Sequence, residues 1–283
     1  MDRLSNRQTT WYLVNIKARR EQTTEHYVQV FHNLYEQDPL VYFPRGGKSG
    51  SLKYVIFSDL LDENGNPKWI QIGLLSYTII DPEAFYNKRI REDVTMNDWN
   101  EDIVANKKET VLYFIPSSHT LVVRCNSDIS LKNIVYYLSE ALHRLEPDTF
   151  DVDIIIERDI LDRILNAHAI THLYANISYT NPGHTDGFEA AFDRKLREMG
   201  AKRIEITATA SKEYPLNSED DGILQSIVNL SEQNGYLQAT IQPTENARLE
   251  KIDSSEHPRK LIVPQIVNDI CSTIYNIIRS IFH

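Results

Sequence analysis

The sequence has little glycine, very little cysteine and no long hydrophobic run. Glycine occurs 10 times in 283 residues, so glycine-rich loops for dinucleotide cofactors are nearly excluded. The 2 cysteines, Cys125 and Cys271, exclude a disulfide framework and a cysteine-rich zinc site. No window of about eighteen residues is uninterruptedly apolar, and residues 1–7 are too polar for a signal peptide. We therefore expect a cytoplasmic protein that uses no cofactor and does not insert into membranes.

The sequence does have enough apolar residues for a large core, and it has an excess of acidic residues. Hydrophobic residues make up 41% of the chain. A chain of this length and composition can bury a large core, so the fold needs no disulfide or metal to stabilise it. The net charge of −10 has the wrong sign for a protein whose whole surface binds nucleic acid.

The basic residues are bunched, and a groove lined by a few bunches is positive inside an acidic molecule. The candidates for contact with nucleic-acid phosphates are Lys17, Arg19, Arg20, Arg45, Lys48, Lys53, Arg194, Lys195 and Arg197. Solvent-exposed faces of helices and loops are the alternative for each bunch.

The first half of the chain predicts hairpins and two helices. The expected elements are a strand over 10–17, a helix over 24–35, strands over 52–61 and 69–80, strands over 110–115 and 120–124, and a helix over 131–145. Asn64-Gly65 supplies the positive φ of a hairpin turn, and Ser130 is a natural helix cap.

After Pro147 the pattern changes to alternating strands and helices. We expect strands over 152–157, 171–179, 203–209 and 236–241, and helices over 159–165, 188–199 and 223–230. The strand over 203–209 alternates polar and apolar residues, so one of its faces is wet. The sequence therefore predicts an α+β fold of two mixed sub-domains, a hairpin-rich one over 1–147 and an alternating one over 148–283.

The last predicted element is a long amphipathic helix over 261–282 that closes the second sub-domain. Its apolar residues keep spacings of three and four, which is typical of one helix stripe. The stripe consists of Val263, Val267, Ile270, Ile274, Ile277 and Ile281. Such a stripe either docks on the chain's own sheet or pairs with a second copy in a dimer.

No catalytic residue and no metal ligand is predicted. The Gly47-Lys48-Ser49 tripeptide resembles the end of a phosphate-binding loop, but Tyr42 stands where that motif needs its first glycine. Asp151, Asp153 and Glu157 would share one face of a strand by period two. A wet strand face is the first interpretation of these carboxylates, and a divalent-metal nuclease is the alternative.

Four stretches of the sequence resemble a family of bacterial proteins catalogued as a domain of unknown function in phage-defence settings. They are residues 12–16, 201–207, 232–239 and 255–258. The second half also resembles, more remotely, the RexA exclusion protein of phage lambda and the KwaB protein of the Kiwa defence system. The shared order is a strand, a helix ending at Met199-Gly200, a strand and a closing helix.

The resemblance implies a dimeric, two-domain DNA-binding protein that senses or blocks phage infection, and it supplies no site residues. We therefore expect a homodimer that binds double-stranded DNA through backbone contacts, without strong sequence preference. The alternatives are the metal-dependent nuclease and a non-catalytic subunit of a toxin–antitoxin or defence complex, which would bind a neighbouring defence protein.

Overall fold

The computed structural model describes residues 8–19, 23–96, 100, 102–126, 129–180, 187–211, 214–218, 222–264 and 269–282. It confirms a mixed α+β fold. The helices are α1 (Thr24–Gln37), α2 (Leu131–Leu145), α3 (Arg158–Leu165), α4 (Phe188–Met199), α5 (Ile223–Asn234) and α6 (Ile270–Phe282). Among the described residues, no helix has the length and apolar character that crossing a membrane requires.

The larger sheet contains eight strands. They are β1 (Gln8–Ala18), β2 (Val41–Tyr42), β3 (Ser49–Phe57), β4 (Ile70–Thr78), β7 (Ala105–Ile115), β8 (Thr120–Val123), β9 (Phe150–Ile154) and β14 (Lys260–Pro264). Their order is β14-β1-β8-β7-β4-β3-β2, and β9 also pairs with β1. A small hairpin, β5 (Phe85–Asn87) and β6 (Glu92–Val94), lies between β4 and β7 in the chain.

Helices cover both faces of the larger sheet. On one face, α1 and α2 bury a core that includes Tyr27, Phe31 and Tyr137. On the opposite face, α6 packs against Trp11 and Tyr113, because alternate residues of a strand point to opposite faces.

The smaller sheet contains β10 (Ala169–Ser178), β11 (Arg203–Thr209), β12 (Gly235–Gln242) and β13 (Glu250–Asp253), in the order β11-β10-β12-β13. Apolar residues of α3 and α5 cover one face of this sheet. Glu205, Thr207 and Thr209 are exposed on β11, which confirms the predicted wet face.

Residues that favour helix caps and turns predicted several ends of helices and strands correctly. Ser130 caps α2 by accepting a hydrogen bond from the Asn133 amide. Gly200 ends α4 with φ 65°, a left-handed conformation that favours glycine. Gly65 has φ 83° in the turn between β3 and β4, as the predicted hairpin requires.

The predicted helix over 261–282 is wrong in its first part. Residues 260–264 form β14, which pairs with β1, and α6 begins at Ile270. Leu261 and Val263 are buried whereas Ile262 between them is exposed, so the local period is two rather than three or four.

Most of the apolar stripe is used within the chain. Val263 and Ile274 are buried in the core under α6, and Ile270 and Ile277 pack against that core. The stripe therefore docks on the chain's own sheet, which was one of the two predicted uses. Val263 and Ile274 were assigned to a dimer interface, and this assignment is corrected because their buried side chains are not available to a partner. Ile281 is half-buried, and Val267 lies outside the described residues.

The boundary at residue 147 stays a prediction. Two strands from beyond it, β9 and β14, complete the sheet of the first half by pairing with β1.

Candidate functional site

A buried charge network joins the two sheets. It consists of Lys17 on β1, Asp153 on β9, Ser178 on β10 and Arg203 on β11. The Nζ atom of Lys17 lies 2.6 Å from Asp153 Oδ2 and also donates a hydrogen bond to the hydroxyl of Ser178. Arg203 Nη2 lies 2.6 Å from Asp153 Oδ1, and Ser178 Oγ lies 3.2 Å from Asp153 Oδ2.

Strand register explains why these groups meet. Lys17 pairs with Asp151, and Asn15 pairs with Asp153, so all four side chains leave the larger sheet on one face. That face meets the ends of β10 and α5, where Asn15 Nδ2 donates to the carbonyl of Gln233.

The network fixes the charge state of its carboxylate. Burial alone raises the pKa of Asp153, but the charges of Lys17 and Arg203 and their hydrogen bonds outweigh this and lower the pKa to about 2. For Lys17, burial is the largest effect and lowers the pKa, while Asp153 acts in the opposite direction.

A cleft of about 700 Å³ opens beside the network. We call it the junction cleft. It is lined by Arg19, Glu146, Pro147, Asp148, Thr149, Tyr179, Arg197, Gly200 and Ala201. Its side chains therefore come from the end of β1, the turn before β9, the end of β10 and the end of α4.

Arg19 and Tyr179, which line the junction cleft, and Asp151 behind them have buried polar atoms that face one another. Among the described residues, Nε and Nη2 of Arg19, Oδ2 of Asp151 and the hydroxyl of Tyr179 are buried atoms that form no hydrogen bond of normal length and angle. Arg19 Nε lies 3.8 Å from Asp151 Oδ2, and Arg19 Nη1 lies 3.4 Å from Asp148. These separations exceed the 2.7–2.9 Å or so of a charge-assisted hydrogen bond.

Two further groups set the electrostatics of the cleft. Lys202 Nζ lies 3.8 Å from carboxylate oxygens of both Asp148 and Asp151. Burial raises the pKa of Tyr179, and both the negative charge of Asp151 and the contact between the Tyr179 hydroxyl and this carboxylate raise the pKa further, so the hydroxyl stays protonated and faces Asp151. The guanidinium of Arg19 lies 5.9 Å from the centre of the Tyr179 ring, within reach of a cation–π contact.

The structure brings together only some of the predicted basic residues. Arg19 and Arg197 both line the junction cleft. Arg194 and Lys195 are exposed on α4, where Lys195 pairs with Glu198 at 2.8 Å. Arg20 lies outside the described residues.

Lys17 is the clear correction among these residues. Its exposed fraction is 0%, and its ammonium is enclosed by Asp153 and Ser178, so it cannot contact a phosphate backbone.

The other predicted basic residues, Arg45, Lys48 and Lys53, are not among the described residues that line the junction cleft. Arg45 is exposed and Lys48 half-buried in the turn between β2 and β3. Lys53 on β3 forms an ion pair of 2.7 Å with Glu109 on β7.

The expected shared face of three carboxylates is also wrong. Asp151 and Asp153 are buried rather than wet, and both face cations. Glu157 lies beyond the end of β9 and pairs with Lys260 at 3.3 Å. In the part of the chain that the structure describes, no group of three or more His, Cys, Asp or Glu side chains is arranged to hold a metal ion.

Sequence reasoning missed Tyr179, Asp148 and Ser178. Each is a single polar residue at the end of a strand or in a turn, and no periodicity or motif marks it. Only Pro147 pointed to this region in the sequence, because the pattern of hairpins changes there to alternating strands and helices, next to Asp148.

The fold and site together define an α+β protein in which a buried charge network connects two antiparallel sheets beside an open polar cleft. The family described as Domain of unknown function (DUF4747) matches residues 7–281. The chain belongs to this family, as the four resembling stretches predicted. A search of curated proteins finds no match. The phage-defence setting and the likeness to RexA and KwaB stay predictions.

Proposed function

We propose that the chain binds double-stranded DNA through its phosphate backbone, in a phage-defence or phage-exclusion role. The binding surface is the basic rim of the junction cleft, defined as Arg19, Arg194, Arg197 and Lys202. The observation that carries the proposal is that Arg19 and Arg197, from opposite halves of the chain, line the same cleft, with Lys202 beside it. Arg194 and Arg197 are three residues apart on α4, so they share a helix face.

The acidic residues of the cleft leave these cations available. Arg19 and Lys202 stand 3.4–3.8 Å from Asp148 and Asp151, and a phosphate oxygen that reaches hydrogen-bond distance replaces these longer contacts. Contacts with phosphates fix the position of a protein on DNA without reading its sequence. The net charge of −10 confines binding to this rim because the remaining surface repels DNA.

A mobility-shift titration of a duplex of about 40 base pairs, repeated across a salt series, tests the proposal. Four phosphate contacts give a slope of log K against log salt of about −3.6. We expect the Arg197→Glu variant to bind more weakly, with a slope smaller in magnitude by about one.

The matched control is Arg89→Glu, the same charge change at an exposed position between β5 and β6. The control should bind like the wild type. Equal losses in the two variants would show that only net charge matters, and no shift of the wild type at low salt would overturn the proposal.

The Arg45→Glu/Lys48→Glu variant separates the cleft from the turn between β2 and β3. If the rim alone binds DNA, this double variant retains the wild-type slope. Loss of binding in this variant and not in Arg197→Glu would move the interface to the turn and contradict the rim.

The phage-defence role rests on the family resemblance and needs its own test. Cells that express the chain should reduce phage plaque formation, and cells that express Arg197→Glu at equal level should not. Equal plaque numbers with and without the wild-type chain across a phage panel count against this role.

The homodimer is part of the proposal and uses a surface other than Val263 and Ile274, since these are buried within one chain. Light scattering of the purified chain should give twice the mass of 32.8 kDa, and a monomer mass would remove this part.

A further inference from the structure

The strand β11 lies at one end of the smaller sheet, and among the described residues no strand pairs with its outer side. We propose that two copies of the chain pair through this edge, so that their smaller sheets join into one continuous antiparallel sheet. The inference names the interface of the homodimer and rests on that part of the proposed function. It does not depend on DNA binding.

The ladder between β10 and β11 shows which backbone groups of β11 point outward. The amide of Ala210 donates to the carbonyl of Thr171, so these two residues form a hydrogen-bonded pair. Such pairs alternate with non-hydrogen-bonded ones along an antiparallel ladder, and the even-numbered residues of β11 therefore bond to β10. The N–H and C=O groups that point away from the sheet belong to Arg203, Glu205, Thr207 and Thr209. A row of this kind is a template for a further strand.

β11 lacks the features that protect other sheet ends. Native edge strands are often very short, or carry lysine or proline that hinders pairing. At other sheet ends, β2 has 2 residues, β13 has 4 residues and includes Lys251, and β14 begins at Lys260 and ends at Pro264. β11 has 7 residues, none of them lysine, proline or glycine, and its ladder with β10 is regular throughout. Its length and composition are typical of a strand that has a second neighbour.

The apolar layer on the helix-covered side of the sheet is incomplete at β11. Ile204, Ile206 and Ala208 are half-buried, whereas the residues opposite them on β10 are 0% exposed. The difference arises because β10 has a strand on each side and β11 has one on a single side.

A second copy completes this layer. A two-fold axis perpendicular to the joined sheet keeps each face on its own side, so the same three apolar residues of both copies meet. The second copy also brings its own α4 and α5, whose apolar residues belong to the same cluster as Ile204 and Ile206. A separate peptide strand supplies backbone groups but no helices to cover the row, so a second copy fits this edge better.

The side chains of β11 select one register for the pairing. An axis at Glu205 places two carboxylates directly opposite each other, which is unfavourable. An axis at Thr207 leaves the first two residues of the strand without a strand residue opposite them. An axis at Ile206 pairs the strand along its whole length and places Glu205 opposite Thr207 of the partner subunit. It also brings the outward-pointing backbone groups of the two copies into hydrogen-bonded pairs.

Sedimentation equilibrium of the full chain over a series of protein concentrations tests the interface. We expect the wild type to form a dimer with twice the mass of 32.8 kDa. Thr207→Pro removes an outward-pointing N–H and leaves the ladder with β10 intact, since edge strands accept proline at such positions. Its dimer dissociation constant should rise at least about tenfold.

Lys251→Pro is the matched control. The alternation of the ladders makes the N–H of Lys251 point outward as well, but at the opposite edge of the same sheet, on β13. Lys251 is exposed, and its variant should dimerise like the wild type. Circular dichroism spectra that match the wild type show that both proline variants fold.

Charge variants of Thr207 test the register without proline. Thr207 is exposed, and an axis at Ile206 places it opposite Glu205 of the partner subunit. Thr207→Lys should tighten the dimer and Thr207→Asp should weaken it, each by at least about threefold. Thr240→Asp is the same change on the inner strand β12 and should leave the dimer unchanged. Equal dissociation constants for the two Thr207 charge variants would overturn the register.

The outcomes separate this interface from the proposed function. A dimer that persists unchanged in Thr207→Pro and in both charge variants overturns the β11 interface and leaves the homodimer standing. A wild type that is monomeric at every concentration overturns the homodimer, and the interface with it. A wild-type dimer that dissociates in Thr207→Pro but gives no mobility shift with duplex DNA supports the interface and overturns the proposed DNA binding.

Discussion

At the scale of single residues, the most unusual feature is a fully buried lysine. Moving an ammonium or a carboxylate out of water costs several kcal/mol, and only close partners offset this cost. Lys17 and Asp153 satisfy that condition, since Asp153 contacts both Lys17 and Arg203 at 2.6 Å. Because these partners lie on β1, β9 and β11, the network stabilises one specific arrangement of the two sheets.

Asp153 makes the stability of the chain depend on pH in the acid range. Its folded pKa of about 2 lies below the value of about 3.9 in an unfolded chain. This depressed pKa contributes about 2–3 kcal/mol at pH values above about 4, and the contribution is lost as the pH falls from about 4 to about 2. We expect urea unfolding to show that loss in the wild type and not in Asp153→Asn.

The control for this experiment is Asp59→Asn, the same change at an exposed carboxylate. It should keep the wild-type loss of stability below pH 4. The assignment to Asp153 fails if Asp153→Asn and the wild type lose the same free energy of unfolding over this range.

At the scale of elements, α6 shows how a helix stripe is used. Its buried side chains, Ile274, Tyr275 and Ile278, pack in the core with Trp11 and Tyr113. The opposite side of the helix carries the exposed polar residues Asn276 and Ser280. The amphipathic pattern is therefore explained by docking on the chain's own sheet.

Truncation of this stripe tests the docking. Ile274→Ala removes a side chain that is 1% exposed, and a cavity of this kind costs about 2–5 kcal/mol of unfolding free energy. Ile262→Ala removes the same atoms from an exposed position on β14 and should cost less than about 1 kcal/mol. Urea titrations measure both, and similar costs for the two variants would mean that α6 does not dock as described.

The elements also show which structural features the sequence could predict. Caps and turns depend on a few neighbouring residues, so Ser130, Gly200 and Gly65 marked their positions correctly. The strand β14 was missed because Leu261 and Val263 fit a two-residue period and also lie next to a genuine helical stripe. Pairing with β1, some 250 residues earlier in the chain, decides between the two periods, and no local pattern contains that information.

At the scale of the whole molecule, the site depends on contacts between distant parts of the chain. Lys17 resembled a surface cation in the sequence because it stands close to Arg19 and Arg20. Its burial follows from the pairing of β1 with β9 and the approach of β10, which bring Asp153 and Ser178 to it. Arg19 and Arg197 were both candidates, but only the folded chain shows that they line one cleft.

The same long-range contacts predict that the halves do not fold separately. A fragment of residues 1–147 retains β8 on one side of β1 but loses both β9 and β14 on the other, and Lys17 loses Asp153. We expect this fragment to give no cooperative transition in a urea titration followed by circular dichroism, in contrast to the full chain. A sigmoidal transition of the fragment alone, with a midpoint near that of the full chain, would instead support two independent domains divided at residue 147.

The pairing of β1 with β14 also determines how late in synthesis β1 obtains its partner strand. Trp11 lies opposite Leu261, and at about 5–20 residues per second a ribosome needs roughly 12–50 s to synthesise the intervening segment. Throughout that interval one edge of β1 near Trp11 has no strand to pair with, and such edges recruit other chains. The pairing of β1 is thus completed late in synthesis, so its open edge exposes the nascent chain to association with neighbouring chains on a crowded polysome.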